Sequence, residues 1–382
     1  MKYLFYLGIL LLLLFEAANV YFIMPMPGSQ RMESLDLAYF LYSWRWAFRA
    51  GAGVLILAGL TNAMRSRAWL AVLALAVAGV GVYGFNGKMA AEVIFYQPKH
   101  LQMADISSNA IDSTRWVLGV QAGGEARAYP IQLIAYHHQV IDTLAGKPIM
   151  VTYCSVCRSG RIFEPLVNGK PESFRLVGMD QFNAMFEDAT TRSWWRQENG
   201  EAVTGKLKGQ RLPELLCEQT SLKKWLQLHP NSLIMQPDPA FLKEYKGLET
   251  YDTGVKRGPL TRTDRRSWKD KSWVLGVIAG SSSKAFDWNR LRKERIIHDQ
   301  VGDTPIVLVL ASDNKSFFAF RRPDEQAQFT LRNDTLLLGS MRYDLAGRPV
   351  SGEGSPLEKV QAYQEFWHSW RTFHPETLRS LQ

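Results

Sequence analysis

Two cysteines set two residues apart, Cys154 and Cys157 in the run Val-Thr-Tyr-Cys-Ser-Val-Cys-Arg-Ser-Gly, are the most chemically pointed feature of this 382-residue chain. Thiols at that spacing can close a reversible disulfide or supply half of a knuckle-type metal site for copper or zinc. A plain structural disulfide is the third option outside the cytoplasm. Arg158 follows the pair directly, and a guanidinium there favours thiolate over thiol. Upstream lie His137 and His138. His137 could take or return a thiol proton, or complete a Cys-Cys-His metal site with Cys154 and Cys157. Any of these roles requires the sulfurs and the imidazole to meet at an accessible pocket. Cys217 reads as a buried helix residue, and Met179 and Met185 suit copper ligation or plain core filling. Trp194, Trp195 and Trp288 leave open a noncatalytic ligand-binding or scaffold role, although aromatic residues also build β cores.

Short apolar, β-branched or aromatic runs must deliver these side chains. Residues 148–153 read as a strand that ends at the thiols, and 161–163 as the strand that follows the turn. Similar runs at 116–121, 273–278 and 305–310 are separated by Gly, Pro and Asp, the usual strand punctuation. Helices are expected at 212–228 and 357–373, each closed by His-Pro.

The soluble part of the chain resembles itself. Trp116-Val-Leu-Gly-Val120 recurs as Trp273-Val-Leu-Gly-Val277, an offset of 157 that also pairs Ala128 with Ala285, Asp142 with Asp299, Pro148 with Pro305 and Phe163 with Phe320. Later, Trp225 and His229-Pro230 match Trp370 and His374-Pro375 at a shorter offset. Two copies of one module are the simplest reading, since a solenoid needs more and shorter units. The comparison is also an internal control. Cys154, Cys157, His137 and His138 become Ala311, Asn314, Glu294 and Arg295, while the framework residues persist. A module that could not be built without its thiols would have kept them in both copies, so the first copy reads as active and the second as degenerate or supporting. Asp142, which recurs, is assigned to a turn or a fold-keeping hydrogen bond.

Three apolar stretches crowd the first ninety residues: 3–24, a second within 37–60, and 69–85. Each is long enough to cross a bilayer as a helix. Arg45 and Arg49 share a face of the second, where they would snorkel to the headgroups or meet Glu16 of the first. Lys2 ahead of a long apolar run favours an inside N-terminus, and three spans then carry the rest of the chain across. The expectation is an integral protein of the inner (cytoplasmic) membrane with a periplasmic or extracellular domain and the lipid bilayer as partner. The net charge of +9 is spread without a concentrated basic stripe or a recognised motif, so no nucleic-acid partner is expected.

Ala128-Tyr129-Pro130, then His137, Val140-Ile141-Asp142, Pro148 and Tyr153-Cys154 to Cys157 with Ser159 resemble the pattern of the DUF3179 family over most of residues 100–375. The chain departs from that pattern at Ser155, Arg158 and His138, where proline, glycine and an acidic residue are common. The resemblance implies an extracytoplasmic protein. Some members of the family carry selenocysteine in place of a cysteine, which implies redox work, but no activity comes with the family. The expected fold is therefore N-terminal transmembrane α-helices followed by a mainly β (α+β) region of two duplicated modules. Its divisions are an anchor of three transmembrane helices at 1–90, a first module at 91–236, a connection at 237–266 and a second module at 267–382. Thiol-disulfide exchange is the leading expectation, with Cys154 attacking, Cys157 resolving, His137 moving the proton and Arg158 supporting the charge; the substrate or partner protein is not readable.

Overall fold

The computed structural model describes residues 1–252, 258–350 and 354–380. They fall into two compact units that are not contiguous in sequence: Met1–Tyr96 with Glu172–Arg211, and Gln97–Pro171 with Leu212–Gln382. The stretch 172–211, inside the first module by sequence, therefore belongs with the N-terminal helices. Of the expected connection, 253–257 lie outside the described residues; the part before them holds a short helix, Leu242–Lys246.

The N-terminal unit contains α1 (Lys2–Tyr21), α2 (Leu35–Ser43) and α3 (Arg45–Gly84). Two stretches, Lys2–Tyr21 and Arg45–Met89, are long and apolar enough to cross a membrane by length and composition. α3 is broken at Arg67 (φ −152°, ψ 85°), where the chain reverses. The reversal follows from one contact: Arg49 and Asn86, 37 residues apart, are hydrogen-bonded at 2.9 Å. An unbroken helix would hold them roughly 55 Å apart. The second apolar stretch begins at Arg45, later than expected, because Trp44 (φ −97°, ψ 11°) separates it from α2. Glycines bring α1 and α3 together; a Cβ on Gly59 would lie 2.3 Å from the Phe5 backbone nitrogen. Between the helices Glu16, fully buried, accepts two bonds from Arg49 at 2.7 and 2.9 Å and one from Asn86 at 2.9 Å. A carboxylate with no access to water needs a counter-ion, so Arg49 turns inward to Glu16 and does not snorkel.

Four antiparallel strands complete this unit: Phe174–Asp180, Asn183–Asp188, Trp194–Arg196 and Ala202–Thr204. Trp194 is buried against the rings of Tyr39 and Tyr42, at 5.1 and 5.5 Å, and donates its indole N–H to Glu187 at 3.0 Å. Trp195 donates to Asp188 at 2.9 Å. Met185 is buried in the second of these strands. These side chains fill a core.

The second unit opens with β1 (Trp116–Ala122), β2 (Glu125–Pro130), α4 (Ile131–His137), β3 (Gln139–Leu144), β4 (Lys147–Cys154) and β5 (Ser159–Phe163). It continues after the excursion with β6 (Cys217–Ser221), α5 (Leu222–Leu228) and β7 (Leu233–Met235). The later half runs β8 (Trp273–Ala279), β9 (Ser282–Asp287), α6 (Trp288–Glu294), β10 (Ile296–Val301), β11 (Thr304–Leu310), β12 (Phe317–Arg321), β13 (Ala362–Phe366), α7 (Trp367–Phe373) and β14 (Leu378–Arg379). One sheet of each half has the same order, β7-β2-β1-β6 and β14-β9-β8-β13; the other places β3-β4-β5 and β10-β11-β12 side by side. Register agrees as well. Gly119 faces Ala128 where Gly276 faces Ala285, Val151 faces Ile162 where Leu308 faces Ala319, and the parallel pair Leu233 with Arg127 matches Leu378 with Lys284. Corresponding residues even meet one another: the rings of Trp116 and Trp273 are 5.1 Å apart, and Gln219 donates to Gln364 at 2.8 Å. Asp142 accepts from the Tyr129 hydroxyl at 2.7 Å, and Asp299 from Lys284 at 2.7 Å.

The helices expected at 212–228 and 357–373 shrink to their last seven residues, α5 and α7. Ser221 marks the true start of α5, its hydroxyl accepting from the Lys224 N–H at 3.1 Å. The residues before it are β6, bonded along β1, so Cys217 is a buried strand residue and not a helical one. Each helix presses one tryptophan onto a glycine of the sheet. A Cβ on Gly119 would lie 2.4 Å from the Trp225 ring, and one on Gly276 2.2 Å from Trp370. Gly119→Ala and Gly276→Ala should each destabilise the chain by about 1–3 kcal/mol through overpacking. Thermal unfolding of the two variants tests this, and loss of stability in only one would show that the two tryptophans are held differently.

Candidate functional site

β4 is buried on both faces from Ile149 onward, and its last ladder pair joins Cys154 to Ser159. The chain between them is a four-residue turn, Ser155 to Arg158. Both cysteines carry thiols, and the Cys157 thiol is hydrogen-bonded to that of Cys154. The spacing therefore brings the sulfurs together on one side of the turn. They are not exposed, however: Cys154 and Cys157 are both fully buried, which corrects the expectation of an accessible pair.

Arg158 closes the turn in the left-handed region (φ 57°), a conformation usually left to glycine. Its guanidinium explains the exception. It donates to the carbonyls of Tyr251 at 2.7 Å and Asp252 at 3.1 Å, and lies over the rings of Tyr251 and Trp273 at 4.4 and 4.9 Å. Tyr251 in turn donates its hydroxyl to Ser155 O at 2.7 Å. Arg158 is thus a buried clamp on the turn.

The two histidines lie at the end of α4, on the strand side of the same sheet. His138, in the left-handed region (φ 58°), hydrogen-bonds through Nδ1 to Tyr153 O at 2.7 Å, fixing the residue next to Cys154. Burial pushes its pKa down to about 4, so the ring is neutral. His137 is buried with Tyr136 and Phe241, and its Nε2 lies 2.5 Å from the Tyr245 hydroxyl. Burial raises the pKa of Tyr245, so the phenol keeps its proton and shares a hydrogen bond with Nε2 whose direction follows the tautomer of the ring. Nε2 thus faces Tyr245. Among the described residues no three His, Cys, Asp or Glu side chains are grouped to hold a metal ion, so Cys154, Cys157 and His137 do not form the expected ligand set.

What does meet the turn comes from the later half. Phe366 N–H, at the β13–α7 corner, donates to Cys157 O at 2.9 Å. Lys271 Nζ donates to Val156 O at 3.0 Å and lies 3.0 Å from His368 Nε2, with the Phe366 ring 4.9 Å away. Burial, followed by the Lys271 charge, pushes the His368 pKa down to about 3, so the neutral imidazole accepts from Lys271. Burial lowers the Lys271 pKa as well, against the pull of Cys157 and Cys154. Ser369 is buried near Cys157, its hydroxyl without a hydrogen-bond partner among the described residues. Glu365, on the far side, is paired with the buried Arg161 at 2.9 Å. Burial and the neighbouring Cys154 thiol push the Cys157 thiol well above its ordinary value, while Ser369 pulls it down. Cys157 is therefore held as a neutral thiol, and the half-buried Lys271, His368 and Ser155 lie at the turn.

Sequence reasoning missed Lys271, Glu365, His368 and Ser369. A signal existed: His368-Ser369 stands where the first half has Lys223-Lys224, the two residues before Trp370 and Trp225, so the halves differ at that place. Buried thiols react slowly. N-ethylmaleimide at pH 7.5 should modify the three cysteines on the order of 100-fold more slowly in the folded protein than after denaturation, as mass spectrometry would read. Rapid labelling of Cys154 or Cys157 in the native protein would contradict their burial.

No curated protein and no solved structure matches the chain. Residues 96–377 do match a family model described as protein of unknown function, DUF3179, and with most of its length covered the chain belongs to that family.

Proposed function

We propose that this chain is a membrane-anchored thiol redox protein whose twin-module domain faces the periplasm or the exterior and whose dithiol is Cys154 and Cys157. The carrying observation is the hydrogen-bonded thiol pair within a single turn, together with its absence from the matching turn, where Ala311 and Asn314 stand in a framework of the same order and register. That agreement supports two duplicated modules. Two apolar helical stretches, the second reversing at Arg67, support an anchor of three spans in the inner membrane, with Lys2 on the inside.

The reaction is thiol-disulfide exchange with a disulfide-bearing partner. Cys154 Sγ attacks one substrate sulfur; the S–S bond breaks, and the departing thiolate takes the Cys154 proton. Cys157 Sγ then attacks Cys154 Sγ in the mixed disulfide, releasing the second substrate thiol with the Cys157 proton. The partner's disulfide is reduced to two thiols, and Cys154–Cys157 is oxidised to a disulfide. The reverse sequence oxidises a dithiol partner. Lys271 and His368 must move aside for either direction. Burial of both sulfurs favours one rival reading, in which they are core packing only.

Equilibration of the full-length protein in detergent with a series of thiol-disulfide buffers, followed by acid quench, alkylation and mass spectrometry, separates the two. A reversible Cys154–Cys157 disulfide with a midpoint between about −300 and −120 mV is expected, with Cys217 remaining a thiol. A pair that stays reduced across that range, or that exchanges only after unfolding, would leave the packing reading in place. The anchor has its own test: the chain should remain with membranes after alkaline carbonate extraction, and release into the supernatant would refute it.

A further inference from the structure

The later half has lost both cysteines but keeps its contact with the turn that bears them, and that contact is built with polar groups. In the opposite direction the arrangement is plainer. Ser221 N–H, at the start of α5, donates to Ser316 Oγ at 2.9 Å, and the Asp313 carboxylate receives the hydroxyls of Ser221 and Ser316. This is a closed set of serine and carboxylate partners at the turn that stands where Cys154 to Ser159 stand in the first half. At the thiol-bearing turn the later half instead supplies an ammonium, Lys271, whose two hydrogen-bond acceptors, Val156 O and His368 Nε2, are both neutral. Beside it stands a buried hydroxyl, Ser369, a neighbour of Cys157 with no hydrogen-bond partner among the described residues.

Resting on the redox reading above, we infer that the second module is not a vacant copy but supplies Lys271 and Ser369 as positioning residues that favour the Cys157 thiolate during resolution of the mixed disulfide. The physical argument is one of charge. A buried thiol loses its proton only if the anion left behind finds compensation. A carboxylate bonded to Lys271 would already hold its charge; with neutral acceptors that charge is left uncompensated at the turn that bears the sulfurs. Other charged groups facing the pair do not supply this. Glu365 is paired with Arg161, which also reaches Glu214 at 3.7 Å, and the Arg158 guanidinium is turned to the Tyr251 and Asp252 carbonyls. Asp270, next to Lys271, is bonded to Arg371 at 2.7 Å. Ser369 adds a hydroxyl that can turn its O–H toward the thiolate once the proton has left. In the resolving step the Cys157 proton passes to the departing substrate thiolate, Cys157 Sγ bonds to Cys154 Sγ, and the charge at Lys271 is the same before and after.

The test is single-turnover reaction of the reduced full-length protein with glutathione disulfide, quenched with acid at intervals and read by mass spectrometry. In the wild type the Cys154–glutathione mixed disulfide should pass rapidly to the internal disulfide. In Lys271→Met the mixed disulfide should accumulate, with resolution slowed about tenfold and its rise with pH displaced upward; Lys271→Arg should restore most of the rate. Ser369→Ala should give a smaller slowing in the same step. Equal resolution rates and an unmoved pH profile in Lys271→Met would overturn this inference while leaving the redox reading standing. Failure of the wild type to form either disulfide would instead overturn the redox reading itself.

Discussion

The structure turns on the contact between the hairpin of β4 and β5 and the corner where β13 enters α7. A single backbone bond, from Phe366 N–H to Cys157 O, fixes the turn, and the side chains of Lys271, His368 and Ser369 close over it. The thiols are buried because of this contact and not because of their own strand. A hairpin tip that ends a strand would ordinarily reach solvent; here it ends against the other half of the same unit. Everything chemical about Cys154 and Cys157 therefore depends on residues more than a hundred positions away in sequence. The two halves are also not equivalent in this respect, since one offers the thiols and the other the charge.

Much of this was legible in the sequence, and the part that was not has physical causes. The strands at 116–122 and 273–279 announce themselves by repeated Trp-Val-Leu-Gly-Val, and the pair of cysteines announces its own turn. The apolar stretches near the N-terminus were equally plain. The helix starts were not. Residues 217–221, Cys-Glu-Gln-Thr-Ser, run without a break into the apolar-periodic Leu222–Leu228, and Ser221, whose hydroxyl caps the helix, is the one local sign of where strand gives way to helix. The burial of the sulfurs was invisible because it is a tertiary fact, made by Phe366 and Lys271 from the other half. The surroundings of His137 were hidden for a similar reason: its partner Tyr245 lies far along the chain, in a stretch that reads as linker. Arg158 illustrates a subtler case. Its place in a glycine-like conformation looked like a departure from pattern, and it is accounted for by the carbonyls and rings that receive its guanidinium.

Within the N-terminal unit, charge again decides geometry. Glu16 comes from α1, Arg49 from the first arm of α3 and Asn86 from the turn Phe85–Met89 that follows its second arm, and each satisfies the others. In a setting of leucine, valine and alanine such a cluster has no competing partners, so it fixes how the three segments register against one another. The glycines and alanines along the same surfaces let the helices approach, while the polar cluster sets their rotation. Neither feature alone would do both.

The return of residues 172–211 to the N-terminal unit bears on how this chain is made. During synthesis α1 to α3 emerge first, yet the four strands that share their unit leave the ribosome only after the β4–β5 hairpin has appeared. Tyr39 and Tyr42 wait through that interval without Trp194. A fragment begun at residue 97, chosen to shed the apolar helices, would keep those strands and discard what covers them, leaving a tryptophan-lined face bare and prone to aggregate. The shortest soluble version of this protein is therefore not a truncation but an excision, with both the leading ninety-six residues and the later loop of strands removed together.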